Sequence, residues 1–209
     1  MEDKRILPDI ETDRLRLRAI QTKQSKRLRP VDILRVSMVM MIIGMIAARG
    51  LYGCYRINLY FSLYVTFLTT FYHFAMRILV GEGVTYFYKH REFHYASAWY
   101  RIHKGEIRLY RVLKVKNWKL KLITAKPEQF DVRKRTYQEL LHNMTQAEIG
   151  HEIMMGLSFV PLLFIIPYGA PLVFVTTSVI ACVMDFLFVM IQRYNRPRVL
   201  KIKERAEGR

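Results

Sequence analysis

The sequence predicts an all-α integral membrane protein with about four transmembrane helices and a basic interfacial helical segment between the second and third. Three observations predict it. Apolar residues, 52% of the chain, are gathered into a few long blocks instead of being spread through short amphipathic stretches. The 34 Lys and Arg, set against 17 Asp and Glu, cluster before, between and after those blocks. The run Pro167-Tyr168-Gly169-Ala170-Pro171 separates the last two blocks with a tight turn.

The blocks predict helices near 33–52, 57–77, 146–166 and 171–194, each close to the ~20 residues that cross a hydrocarbon core. The first is built around Val36 to Ile46, the second is rich in Phe, Tyr, Leu and Thr and is closed by Arg77, and the fourth starts at Pro171, which suits a first helical position. The last two should form an antiparallel hairpin. A basic tail, 1–30, then precedes a single membrane domain, 31–209, whose non-membrane part is the interfacial segment 84–141. That segment mixes aromatic, histidine and basic residues, as in Tyr86-Phe87-Tyr88-Lys89-His90-Arg91.

The basic residues orient this layout, because Lys and Arg accumulate in cytoplasmic loops. Nine lie in 1–30, fifteen in 77–150 and seven in 192–209, so 31 of the 34 fall on one side. The expectation is a multi-pass protein of the cell membrane with both termini cytoplasmic. Charged residues precede the first apolar block, so no secretory signal is expected. The tail, with Arg14-Leu15-Arg16-Leu17-Arg18, can lie on anionic lipid head groups or serve only as an orientation signal.

Composition excludes several classes. Cys54 and Cys182 both sit in apolar blocks with no metal-ligand spacing, which excludes a disulfide scaffold and a structural zinc site. A content of 13% aromatic residues excludes disorder outside the ends, and the block pattern argues against a nucleic-acid partner despite a net charge of +17. No metal is expected. His90 and His94 have i, i+4 spacing, but with no third ligand in view they read as interfacial.

Three constellations can carry chemistry. In Thr145-Gln146-Ala147-Glu148-Ile149-Gly150-His151 a spacing of three places Glu148 and His151 on one helix face, where a carboxylate can orient an imidazole acting as general base. Thr145 and Glu148 equally form a capping box at the start of the third helix. Asp185 lies deep in the fourth block, where a carboxylate costs roughly 2.5 to 3.5 kcal/mol, so it is a functional candidate or an interhelical pin. With the turn centred near Gly169, equal arm lengths bring Asp185 within about one turn of the level of His151. Finally Gln192-Arg193-Tyr194-Asn195-Arg196-Pro197-Arg198 closes the fourth helix, and its guanidinium, amide and phenol groups can clamp a donor phosphate or a lipid head group.

The heptapeptide from Gln192 to Arg198 resembles the C-terminal signature of bacterial glycosyl-4,4'-diaponeurosporenoate acyltransferases, membrane enzymes that esterify the sugar of a staphyloxanthin-type carotenoid with a fatty acid. Val115-Lys116-Asn117-Trp118-Lys119 and Ala147-Glu148-Ile149-Gly150-His151 are similar to two further motifs of that family, in the same order. The resemblance spans roughly residues 100–205. Gln146 and Asn143 stand where the family usually has Arg and an acidic residue.

The resemblance implies acyl transfer to a hydroxyl of a glycosylated isoprenoid or other membrane glycolipid. Catalysis would fall to His151 as base, Glu148 as its orienter and Asp185 as a second partner. Substrate binding would fall to Gln192, Arg193, Tyr194, Asn195, Arg196, Arg198, Trp118, Lys119 and Lys116, the lysines attracting an anionic donor. The donor would be acyl-coenzyme A or acyl carrier protein, with no tightly bound cofactor, and self-association is compatible with the sequence. The alternative is a non-catalytic lipid-binding or assembly subunit whose polar cluster pins the helices.

Overall fold

The computed structural model describes residues 30–95, 97–115, 127–130 and 135–208. Among them the chain is all-helical: α1 Pro30–Tyr55, α2 Asn58–Tyr88, a short α3 Lys104–Val112, α4 Tyr137–Leu157, a one-turn α5 Ile165–Tyr168 and α6 Pro171–Glu207. Four stretches, Val31–Tyr55, Asn58–Tyr88, Tyr137–Tyr168 and Pro171–Glu207, are long and apolar enough to cross a membrane. The protein is therefore a four-span membrane protein. The basic tail falls outside the described residues.

Each boundary has a local cause. Arg56 adopts a left-handed conformation, φ 55°, and donates its N–H to Tyr52, ending α1. At the hairpin, Gly169 has φ 65°, its N–H bonds Ile165, and Pro171 starts α6 where a missing N–H costs nothing. Pro161 ends regular α4, because it cannot donate to Leu157 four residues back; the chain tightens into a 3-10 turn over Val160–Phe164. The freed Leu157 carbonyl accepts instead from the Tyr72 hydroxyl at 2.9 Å.

Three expectations need correction. The third membrane helix starts at Tyr137, not near 146, and its capping box is Thr136 with Glu139. Thr145 lies two turns inside, where its hydroxyl donates to the Leu141 carbonyl at 2.9 Å, so Thr145 and Glu148 form no cap. Arg77 does not close α2, which runs on to Tyr88. The interfacial segment is correspondingly shorter at both ends, since 84–88 and 137–141 are helical.

Packing follows a single polar-and-small stripe. On α6 the buried residues Phe174, Ser178, Ala181, Asp185, Val189, Gln192 and Arg196 are spaced by three and four, and Met190 is buried beside that stripe. Small residues on that stripe let α4 approach closely, as expected where lipid gives no hydrophobic drive between helices. The α4–α6 hairpin carries the most extensive contact, α2 packs across it, and α1 packs on α2. Gly44 of α1 sits against the Phe67 ring, where a Cβ would come within 2.9 Å.

Candidate functional site

Two charged clusters occupy the α4–α6 seam, one above the other. In the deeper one, His151 Nδ1 of α4 lies 3.0 Å from Asp185 Oδ1 of α6. Arg77 of α2 donates to Asp185 Oδ2 at 2.6 Å, and two more of its N–H groups hold the carbonyls of His73 and Ala181. An aspartate facing a guanidinium accepts at both oxygens, so the proton of the pair sits on Nδ1 and Nε2 is left as the acceptor. Nε2 has no hydrogen-bond partner among the described residues. The Phe188 ring stacks on the imidazole at 4.7 Å and 9°, which fixes its plane. Asp185 is 1% exposed, whereas the His151 side chain keeps 22%, enough for one edge to meet a substrate.

The second cluster lies two turns further along α6. Glu148, fully buried, faces Arg193 at 3.0 Å and bonds Arg196 closely. Glu106 of α3 takes both Arg193 Nε and Nη2, at 3.0 and 3.1 Å. The carbonyls of Trp99, Tyr100 and Arg101 accept from Arg193, Arg196 and Arg193 in turn, so α6 staples the loop that precedes α3. Arg196 also lies 4.6 Å from the Tyr100 ring. Burial raises the Glu106 carboxyl, but hydrogen bonds from Arg193 and Tyr110 outweigh it and hold the group below the ordinary carboxylate range. Burial and the acceptor carboxylate of Glu106 push the Tyr110 phenol up. Burial and then Glu148 do the same for Tyr100.

Two expected roles change with this geometry. The partner of His151 is Asp185, because Glu148, three residues away on the same helix, turns to two guanidiniums on α6. Opposite charges in a desolvated seam outcompete a neutral neighbour. The phosphate clamp is the second. Arg193 has five N–H groups and five protein acceptors, and Arg196 is 2% exposed, so neither offers a donor to a ligand in this conformation.

The other candidates are dispersed. Gln192 is buried on the α6 stripe, and Tyr194 packs edge-on to Tyr110 at 6.0 Å. Arg198 is exposed and lies 3.9 Å over the Tyr194 ring, while Asn195 is half-buried. Lys116, Trp118 and Lys119 fall outside the described residues. His90 and His94 are exposed beyond the end of α2, so their spacing is not helical, and among the described residues no three His, Cys, Asp or Glu side chains converge.

Sequence reasoning missed Arg77 and Glu106. A signal for Arg77 existed: Ile78-Leu79-Val80-Gly81 continues the apolar block beyond it, and an isolated acid in one span calls for a base in another. Glu106, a lone acid among bases, gave none. Buried beside the deeper cluster, the His73 ring nitrogens and the Ser178 hydroxyl have no partner among the described residues.

An open groove of about 530 Å³ flanks the seam, lined by Trp99, His103, Glu152, Met155, Phe186 and Val189, with Arg193 in its wall.

No curated protein and no solved structure matches the chain. A sequence profile described as glycosyl-4,4'-diaponeurosporenoate acyltransferase matches residues 87–205. The matched segment runs from the last turn of α2 into the end of α6, so it holds both clusters apart from Arg77. Since the match takes in more than half of the 209 residues, the chain belongs to the glycosyl-4,4'-diaponeurosporenoate acyltransferase family.

Proposed function

We propose that the protein esterifies a hydroxyl of a glycosylated isoprenoid, or of a related membrane glycolipid, with a fatty acyl group at the cytoplasmic end of its helical bundle. One observation carries the reading: within the segment that matches the acyltransferase family, a histidine and an aspartate from two apolar spans meet at 3.0 Å, and the other imidazole nitrogen has no partner among the described residues. A scaffold has no need of an oriented, half-open imidazole at that depth.

In this reading His151 Nε2 takes the proton of the acceptor hydroxyl as its oxygen attacks the carbonyl of an acyl thioester. Asp185 holds the ring through Nδ1 and stabilises the imidazolium that forms. Collapse of the tetrahedral intermediate breaks the carbon–sulfur bond, and His151 returns the proton to the leaving thiolate. The products are the ester and a free thiol. The thioester would be carried by coenzyme A or an acyl carrier protein. Because Arg193 and Arg196 are committed internally, attraction of that anionic donor falls to exposed bases such as Arg198 and Lys201, with Lys116 and Lys119 as further candidates.

The bias of basic residues toward one side supports this orientation, with the ends of α4 and α6 that bear the second cluster cytoplasmic. Lipid mass spectrometry on cells with and without the protein tests the reading. A glycolipid should gain the mass of one fatty acyl group when the protein is present. An unchanged glycolipid profile, with the protein recovered in the membrane bound to a partner, would leave the scaffold role instead.

A further inference from the structure

We propose that the groove beside Trp99 binds the neutral sugar head group of a glycolipid, with the lipid chain leaving along the apolar side of α6. The proposal rests on the acyltransfer reading for its substrate class and adds a place for the head group, separate from the reacting dyad.

The groove's chemistry is that of an amphipathic ligand. At about 530 Å³ it has the size of a small-molecule pocket. Met155, Phe186 and Val189 line it with apolar groups, and Glu152 and His103 add polar ones. Trp99 stands over it with 65% of its surface exposed. Its backbone is nonetheless held, because the Trp99 carbonyl accepts from Arg193 at 3.0 Å, so a broad apolar ring is presented from a fixed point. A sugar offers an apolar C–H face to such a ring and hydroxyls to a carboxylate, and it leaves no polar group unpaired when both are met.

Charge decides against an anionic head group. The chain carries +17, so a groove in it would be expected to attract phosphate. Yet the guanidinium in the wall, Arg193, spends all five N–H groups on Glu106, Glu148 and the carbonyls of Trp99 and Arg101. What remains is the Glu152 carboxylate, which accepts from hydroxyls and repels phosphate, together with the His103 imidazole, which can also bond a hydroxyl.

Position ties the groove to the chemistry. Glu152 follows His151 on α4, and Phe186 follows Asp185 on α6, so the groove and the dyad lie on adjoining strips of one helix pair. Successive helix residues point about 100° apart around the axis, so the groove adjoins the dyad without containing it.

The test measures binding without turnover: radiolabelled octyl β-glucoside, below its micelle concentration, on the full-length protein in nanodiscs, with empty nanodiscs as background. Saturable binding should be competed by unlabelled glucoside and not by octanol or coenzyme A. Trp99→Ala and Glu152→Gln should each weaken it by on the order of 10-fold at unchanged thermal stability. Trp99→Phe, which keeps a ring, should weaken it less and guards against a folding artefact. Octanol competing as well as the glucoside, coenzyme A displacing it, or absence of saturable binding would each overturn the proposal. Intact glucoside binding in a protein that forms no ester would leave the groove standing and sink the acyltransfer reading alone.

Discussion

A carboxylate buried in an apolar span is tolerated when its oxygens are met, and Asp185 meets that condition with Arg77 on one oxygen and His151 on the other. Glu148 is satisfied by Arg193 and Arg196 in the same way. Arg196 distinguishes a structural from a donor-binding role. Replacing it by Ala leaves Glu148 with one cation in a dry seam, so the protein should lose about 3 kcal/mol, the lower end for breaking a buried pair. The double variant Arg196→Met, Glu148→Gln, which removes both charges, should be milder than the single one. Denaturant unfolding of the detergent-solubilised protein measures both. Unchanged stability for Arg196→Ala, accompanied by a raised KM for the acyl donor, would restore the phosphate clamp.

At the scale of elements, the short α3 is held less by its own length than by what it offers α6. Nine residues are too few for a stable isolated helix. Glu106 docks it on Arg193, and Tyr110 packs with Val115 and Met190. The Glu106 carboxyl lies below its ordinary range when folded, so its contribution is present at neutral pH and is lost as pH falls through the folded value. The stability difference between wild type and Glu106→Gln should thus be constant from about pH 8 to 5 and close below about pH 4. A difference that widened toward acid would mean that Glu106 is not held ionised by Arg193. Which of these elements the sequence reveals depends on periodicity. The hairpin, its turn and the depth shared by His151 and Asp185 all follow from one turn and equal arm lengths. The early start of α4 does not, because Tyr137 to Gln146 is polar and is helical for its capping box and for its packing on α6, not for apolar density. The Glu148 pairing needs the rotation of α4 against α6, which spacing within one helix cannot supply.

For the whole molecule, α6, at 37 residues, outlasts the ~20 that a bilayer core requires, and its excess carries Arg193 and Arg196 of the second cluster to the end of the apolar span. Under the proposed acyl transfer the reacting dyad then lies within the spans, and the second cluster where α6 leaves them on the cytoplasmic side. Cysteines placed singly at Lys114 and Lys201 should resist a membrane-impermeant maleimide in intact cells and react after permeabilisation; labelling from outside would invert the orientation. The central claim is that His151 acts as the base of an acyl transfer. The direct measurement is ester formation by purified protein in nanodiscs, from a labelled acyl thioester to a glycosylated isoprenoid, for wild type and His151→Ala at matched thermal stability. The wild type should form the ester and the variant should be slower by on the order of 10²-fold or more. A His151→Ala protein that transferred acyl groups at the wild-type rate would contradict the account.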